Sequence, residues 1–281
     1  MPTRWWTFPL LLLLSSAAVA GILVAFAAAI IYPTLPSLEA LTDYQPKIPM
    51  RVYSADGKLI GEFGEERRAV VKIQDVPQAM IYAIVAAEDE RFFQHSGVDY
   101  VGVARAALSN FASGEVRQGA STITMQVARN FFLTKEKTLT RKFNEVLLAF
   151  KIESNLTKEQ ILELYINQIY LGQRAYGFAA AAQIYFGKRL PDLTLAAIAM
   201  LAGLPKAPSR YNPMANPKRA KQRQQYVLRR MRELQLVSED EVTAAETQAI
   251  VVKREAQLYP VHAAHFAEMV RQALYERYQE E

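Results

Sequence analysis

The chain of 281 residues contains no cysteine. That excludes a disulfide framework and any thiolate metal site, and it fits an extracytoplasmic enzyme. No internal repeat and no low-complexity segment occurs, so repeat architectures are excluded. A strong charge of one sign is also lacking: 33 Lys and Arg face 28 Asp and Glu, a net +5 with a pI near 9.2. Such a mild basic excess suits an anionic partner, whether nucleic acid, anionic lipid or a phosphorylated substrate, and does not choose among them. The length suits one domain of about 200 residues with an accessory segment.

Charge is missing altogether from residues 8–32. Such a run is long enough to span a bilayer with some tilt. Arg4 precedes it, the next charge is Glu39, and Trp5 and Trp6 sit where an aromatic belt would lie. The basic flank predicts that residues 1–7 stay in the cytoplasm and the rest is exported. Ala18-Val19-Ala20 resembles the small-residue site of a cleaved signal peptide, but the apolar run continues to Tyr32, so an uncleaved anchor is expected.

Pro33, Pro36, Pro46 and Pro49 predict a stiff extended linker over residues 33–50. Residues 51–63 alternate about Ala55-Asp56-Gly57-Lys58, a hairpin turn. From Pro77 onward the pattern is helical, over residues 79–87, 101–111, 121–131, 139–153, 158–170, 175–186, 193–204 and 219–236. Thr157 followed by Gln160 reads as a capping box. Residues 238–281 predict one or two short helices and a connector.

Three stretches carry candidate chemistry. Glu88 ends an apolar helix at the start of Glu88-Asp89-Glu90-Arg91-Phe92-Phe93-Gln94-His95-Ser96-Gly97. A poorly solvated wall there would raise its pKa and make it a usable base; the plainer alternative is a solvated helix end. Gln118-Gly119-Ala120-Ser121-Thr122-Ile123-Thr124-Met125-Gln126 is a glycine turn opening a helix. Its free amides could bind an anion, or a hydroxyl could simply cap them. In the third stretch Arg141 and Lys142 stand four and three residues before Glu145, on one helix face. They form either a surface ion pair or a pyrophosphate grip beside a carboxylate.

Taken in order, these stretches resemble the five motifs of the family 51 glycosyltransferases, found in class A penicillin-binding proteins and monofunctional glycosyltransferases. The first is Glu88-Asp89 with Phe92, His95 and Gly97; the second runs from Gly119 to Gln126; the third is Arg141-Lys142 with Glu145 and Glu153. The fourth is Ile161-Leu162-Glu163-Leu164-Tyr165-Ile166-Asn167, continuing to Gly172, Gly177 and Lys188, and the fifth is Leu201-Ala202-Gly203-Leu204-Pro205-Lys206-Ala207-Pro208. The likeness spans roughly residues 51–232.

The resemblance implies a mainly α fold: a lysozyme-like glycosyltransferase domain, with a membrane-contacting lobe, preceded by one transmembrane helix. It divides the chain into a cytoplasmic tail (1–7), an anchor (8–32), a linker (33–50), the glycosyltransferase domain (51–236) and a connector (237–281). The connector leads toward a transpeptidase domain that is absent from this sequence. The short linker resembles the 1a subtype more than the 1b subtype. No Ser-x-x-Lys occurs, so no penicillin-reactive serine of that kind is expected.

The roles implied are a general base at Glu88 and a second essential acid at Glu145. Gln126, Arg129, Lys137, Arg141 and Lys142 would surround lipid-linked pyrophosphates, with Ser121 and Asn167 as further binding positions. The sequence departs from the family pattern at Met125, usually glutamine, at Arg129, often lysine, and at Ala197, often glutamate.

The reaction implied is polymerisation of lipid II onto a lipid-linked nascent glycan strand, with inversion and release of undecaprenyl pyrophosphate, on the periplasmic side of the inner membrane. A pyrophosphate leaving group calls for cations more than for a proton donor. A divalent cation, magnesium or manganese, could assist, with its ligands unassigned; no organic cofactor and no nucleic acid is expected. Moenomycin is the implied inhibitor, and other cell-wall synthesis proteins are implied partners. The alternatives are a lysozyme-like glycan-cleaving enzyme, which would not need the cations, and a non-catalytic membrane-tethered scaffold, which would not need Glu88.

Overall fold

The computed structural model describes residues 7–43, 49–64, 66–113, 121–133, 138–253 and 263–278. Helix α1 (Thr7–Ile31) contains no buried residue, and at 1.5 Å per residue it is about 37 Å long, enough to cross a bilayer's hydrocarbon. Pro9 falls in its first turn, where a missing amide costs the helix nothing.

The linker is not extended where it is described. A 3-10 turn (Tyr32–Thr34) and a short helix α2 (Glu39–Thr42) fold it back, and Leu35 and Leu41 are buried in the domain core. Ala28, Ile31 and Leu38 pack against the same core. Lys151 donates to the carbonyls of Pro36 at 2.9 Å and Leu35 at 3.3 Å. The four prolines suggested stiffness, but the apolar side chains between them decide the path, because burying a leucine outweighs any preference for an open chain.

Strands β1 (Met50–Tyr53) and β2 (Leu59–Phe63) form the expected antiparallel hairpin, with Arg51 opposite Glu62. Gly57 closes the turn at φ +77°, a conformation that glycine adopts without strain. One hairpin face, Val52 and Ile60, packs against Ala267 of a helix near the C-terminal end. A second small sheet pairs β3 (Arg67–Arg68) in parallel with β4 (Ala175–Tyr176).

The body of the domain is helical: α3 (Gln78–Glu88), α4 (Tyr100–Ser113), α5 (Ile123–Phe132), α6 (Leu139–Glu153), α7 (Lys158–Gln168), α8 (Phe178–Phe186), α9 (Leu195–Ala202), α10 (Pro217–Glu233), α11 (Glu239–Thr247) and α12 (Ala264–Tyr278). The capping box of Thr157 and Gln160 is present, and Ser238 with Glu241 forms another at α11. One continuous core joins α3, α5, α6, α7, α8, α9 and α10, with alanines on α8 and α9 allowing close helix approach. Residues 175–176, expected to open a helix, pair as β4 instead, and α8 starts at Phe178.

Helix α4 stands apart from this core. Of its described side chains only Ala106 is buried, along with the Gly102 backbone, while Tyr100, Val101, Leu108 and Phe111 are exposed, Phe111 at 90%. The five phenylalanines of residues 92–132 divide: Phe92 is in the core, Phe131 and Phe132 are partly buried against it, and Phe93 and Phe111 face outward.

Candidate active site

Helix α3 buries Met80, Ala83, Ile84, Val85 and Ala86 and delivers Glu88 as its last residue. The Glu88 carboxylate accepts from Gln126 Nε2 at 3.0 Å, and its other oxygen lies 3.8 Å from the Arg223 guanidinium. Burial raises its pKa, against the opposing pull of the Gln126 hydrogen bond and the charges of Arg223, Lys206 and Arg129.

Around Glu88 lies a cleft of about 760 Å³, lined by residues that include Ser121, Gln126, Arg129, Lys206, Arg223, Arg229 and Arg230. Its other carboxylates are all taken. Asp89 accepts from His95 Nε2 at 3.1 Å and from the Ile123 amide at 3.0 Å. Glu90 is paired with Arg105 and Arg230, Glu233 with Arg230, and Asp99 with Arg91. Burial works upward on Asp99, yet the Gly102 amide and Arg91 hold its pKa below the ordinary range.

The start of α5 is capped rather than open. Thr122 accepts from the Met125 amide at 3.2 Å and Asp89 takes the Ile123 amide, so the anion site read from that helix start is a cap. Thr122 also donates to the Gly97 carbonyl at 2.6 Å, tying the cap to the first motif.

Beside the cleft, Glu145 is 1% exposed and faces two cations, Arg141 at 2.7 Å and Lys142 at 2.8 Å. Lys142 also donates to Ser121 Oγ at 2.8 Å, and Met125 Sδ lies 3.6 Å from it, so a thioether stands where the family pattern has an amide. Ser121 thus joins the cleft to the Arg141, Lys142 and Glu145 cluster. Lys137 lies outside the described residues. Glu153 accepts from Thr124 and Lys158, each at 2.6 Å, and acts as a core clamp.

Asn167, expected as a further binding position, is engaged elsewhere. Its side chain is not at the cleft: Oδ1 accepts from the Val71 amide at 2.9 Å, and Nδ2 donates to the carbonyls of Val71 at 2.8 Å and Glu163 at 3.0 Å. A buried amide so fully bonded is a structural clamp on the segment before α3.

The residues that sequence reasoning missed come from the chain after α9. Arg223 is buried, stacks on Tyr226 at 4.4 Å and donates to the Gly203 carbonyl at 3.3 Å. A side chain at Gly203 would collide with it, since an added Cβ would lie 2.7 Å from Arg223 Cγ. The signal was the basic run of α10, whose buried face carries Arg223 among apolar residues. Among the described residues no three His, Asp or Glu side chains converge as metal ligands.

Fold and site together define a helical domain, set behind a helix able to cross a membrane, with one buried carboxylate in a cleft lined by cations. The profile of the Transglycosylase family matches residues 56–232, and the chain belongs to that family. It is 58% identical over 259 residues to penicillin-binding protein 1A of Neisseria meningitidis, covering 92% of this chain and 32% of that protein. With penicillin-binding protein 1A of Pseudomonas aeruginosa it shares 49% identity, covering 98% of this chain and 33% of that protein. The crystal structure of penicillin-binding protein 1A from Haemophilus influenzae is similar at a TM-score of 0.50 and 35% identity, covering 84% of this chain and 25% of that one. The chain therefore spans about a third of the length of the curated relatives it matches.

Proposed function

We propose that this chain is a peptidoglycan glycosyltransferase that polymerises lipid II at the outer face of the inner membrane. One observation carries the reading. In the cleft, Glu88 is held by the neutral side-chain amide of Gln126, its ion-pair partner Arg223 stands off at 3.8 Å, and burial raises its pKa. That is the environment of a general base, in a cleft whose other lining is rich in cations.

In this mechanism the sugar 4-hydroxyl of lipid II attacks C1 of the lipid-linked strand, and Glu88 takes the proton as the new bond forms. The bond from C1 to the pyrophosphate oxygen breaks, the electron pair leaves with undecaprenyl pyrophosphate, and the anomeric centre inverts. Arg129, Lys206 and Arg229 have no hydrogen-bonded carboxylate among the described residues and are assigned to the departing charge. Lys142 and Arg141, held by Glu145, present a second cationic edge at Ser121. The exposed apolar side of α4, with Phe93 and Leu139, is assigned to the bilayer, where both lipid-linked substrates reside.

A lysozyme-like glycan-cleaving enzyme can work with a single glutamate but has no need of the cations that line this cleft, and those cations favour the transferase reading. The test is incubation of the protein with labelled lipid II. A ladder of glycan products, suppressed by moenomycin, supports the proposal. Fragmentation of preformed strands without polymer synthesis contradicts it.

A further inference from the structure

Helix α1 has no buried residue, and of its side chains Ala28 and Ile31, at the end next to the domain, pack against the core. A helix held at one end takes its direction from the turn that follows it. That turn is fastened by the buried side chains of Leu35 and Leu41 and by one charged group, Lys151 in the last turn of α6. The Lys151 ammonium donates to the Pro36 carbonyl at 2.9 Å and to the Leu35 carbonyl at 3.3 Å. Two successive peptide planes of the elbow are thereby fixed to α6.

Helix stability does not account for this contact. A lysine in a last turn ordinarily answers the free carbonyls of its own helix. Here others close α6: Ser154 Oγ and Asn155 Nδ2 donate to the Lys151 carbonyl at 2.8 and 2.7 Å, and the Ser154 amide to the Phe150 carbonyl at 3.0 Å. Charge pairing does not account for it either, since among the described residues no carboxylate pairs with Lys151. The ammonium is committed to two neutral carbonyls just beyond the membrane helix.

Helix α6 runs from this elbow to the site. Lys142, which meets Ser121 and Glu145, lies nine residues before Lys151, about 14 Å along the helix at 1.5 Å per residue. Membrane helices tilt by about 20° on average and up to about 40°. A rotation of about 20° at the elbow sweeps a group about 14 Å away through about 5 Å relative to the bilayer. A misplacement of about 1 Å is enough to cost about 10²-fold in rate.

We propose that Lys151 is a positioning residue: it latches the elbow after the anchor and sets the height and tilt at which the cleft meets lipid-embedded substrate. It takes no part in the chemistry at Glu88. The rate readout below rests on the proposed function; the distance readout does not.

The test is Lys151→Met, which keeps the length of the side chain and removes its donors, with Lys151→Arg as the conservative variant. Glycan synthesis is measured on lipid II in vesicles of phosphatidylethanolamine and phosphatidylglycerol, and on lipid II in detergent micelles, which adapt to any tilt. Height is read by energy transfer to headgroup-labelled lipid. The chain has no cysteine, so Arg189→Cys, at a side chain 74% exposed, gives a unique dye site. In Lys151→Met the vesicle rate falls about tenfold, the micelle rate stays within about twofold, energy transfer shifts or broadens, and Lys151→Arg restores both. An unchanged vesicle rate with unchanged energy transfer overturns the proposal. So does an equal fall in both media that follows the melting temperature, which makes Lys151 a stability residue only. If the wild-type chain makes no glycan in either medium, the proposed function fails, and energy transfer alone still decides whether Lys151 holds the elbow.

Discussion

Gln126 donates to Glu88 at 3.0 Å, linking the second turn of α5 to the last residue of α3. This bond favours the ionised carboxylate, while burial, the larger influence, favours the protonated one. The base works ionised, so the rate falls as pH drops through a pKa lying above the ordinary glutamate range of about 4.3. Gln126→Leu removes a stabiliser of the charged form, and the acid limb of kcat/KM moves to higher pH. A pH–rate profile checks this; an acid limb unchanged in Gln126→Leu contradicts it.

Glu145 is enclosed, whereas the Lys142 side chain is 40% exposed. Glu145→Gln leaves two cations facing a neutral amide, and Arg141, the better buried of the pair, bears most of the loss. The expected cost is about 1.5 to 3 kcal/mol of stability, as for a hydrogen bond to a charged group. Lys142→Ala costs less, because that side chain is partly solvated, but it lowers glycan synthesis about tenfold or more if the ammonium at Ser121 meets pyrophosphate. Melting temperature and rate measured on both variants separate the two effects. A Lys142→Ala enzyme with wild-type rate returns the lysine to surface ion pairing.

Asn167→Ala deletes three hydrogen bonds and leaves the Val71 amide and carbonyl without their partner. Stability falls by about 2 to 3 kcal/mol, whereas kcat per folded molecule holds within a few-fold. Denaturant titration alongside the rate checks this. An undestabilised variant with a raised KM places Asn167 back at the substrate.

Much of this was legible from local pattern. Residues 139–153 form α6 as the periodicity predicts, Gly57 closes the hairpin, and the spacing of Arg141, Lys142 and Glu145 gives two ion pairs on one helix face. Glu88 ends its helix as its apolar run implies. What escaped depends on distant partners. Ala175 and Tyr176 become a strand only because Arg67 and Arg68 lie beside them. Asn167 is a clamp only because Val71 reaches it, and Arg223 faces Glu88 only because α10 packs against α3 and α9. No window along the chain contains those pairings.

The anchor and the domain meet through Leu35, Leu41 and Lys151. Removal of residues 1–27, which spares Ala28 and Ile31 at the edge of the core, should leave the melting temperature nearly unchanged while weakening membrane binding and glycan synthesis on membrane-embedded lipid II. Removal through residue 43 also strips two buried leucines from the core, at about 3 kcal/mol or more. Equal activity of the shorter truncation and the intact chain on vesicles contradicts a catalytic role for the anchor.

The central claim is that Glu88 is the base, and Glu88→Gln tests it. A carboxyl whose pKa is raised on folding makes the folded state lose stability as pH rises from the unfolded pKa through the folded one, and the penalty is complete only above the folded pKa. The neutral amide carries no such penalty. The decisive measurement is the rate of glycan synthesis from lipid II by the purified variant, taken with its melting temperature at neutral pH. The account predicts a loss of about 10²- to 10⁴-fold in a protein that melts no lower than wild type. A folded variant retaining more than about a tenth of the wild-type rate would contradict it.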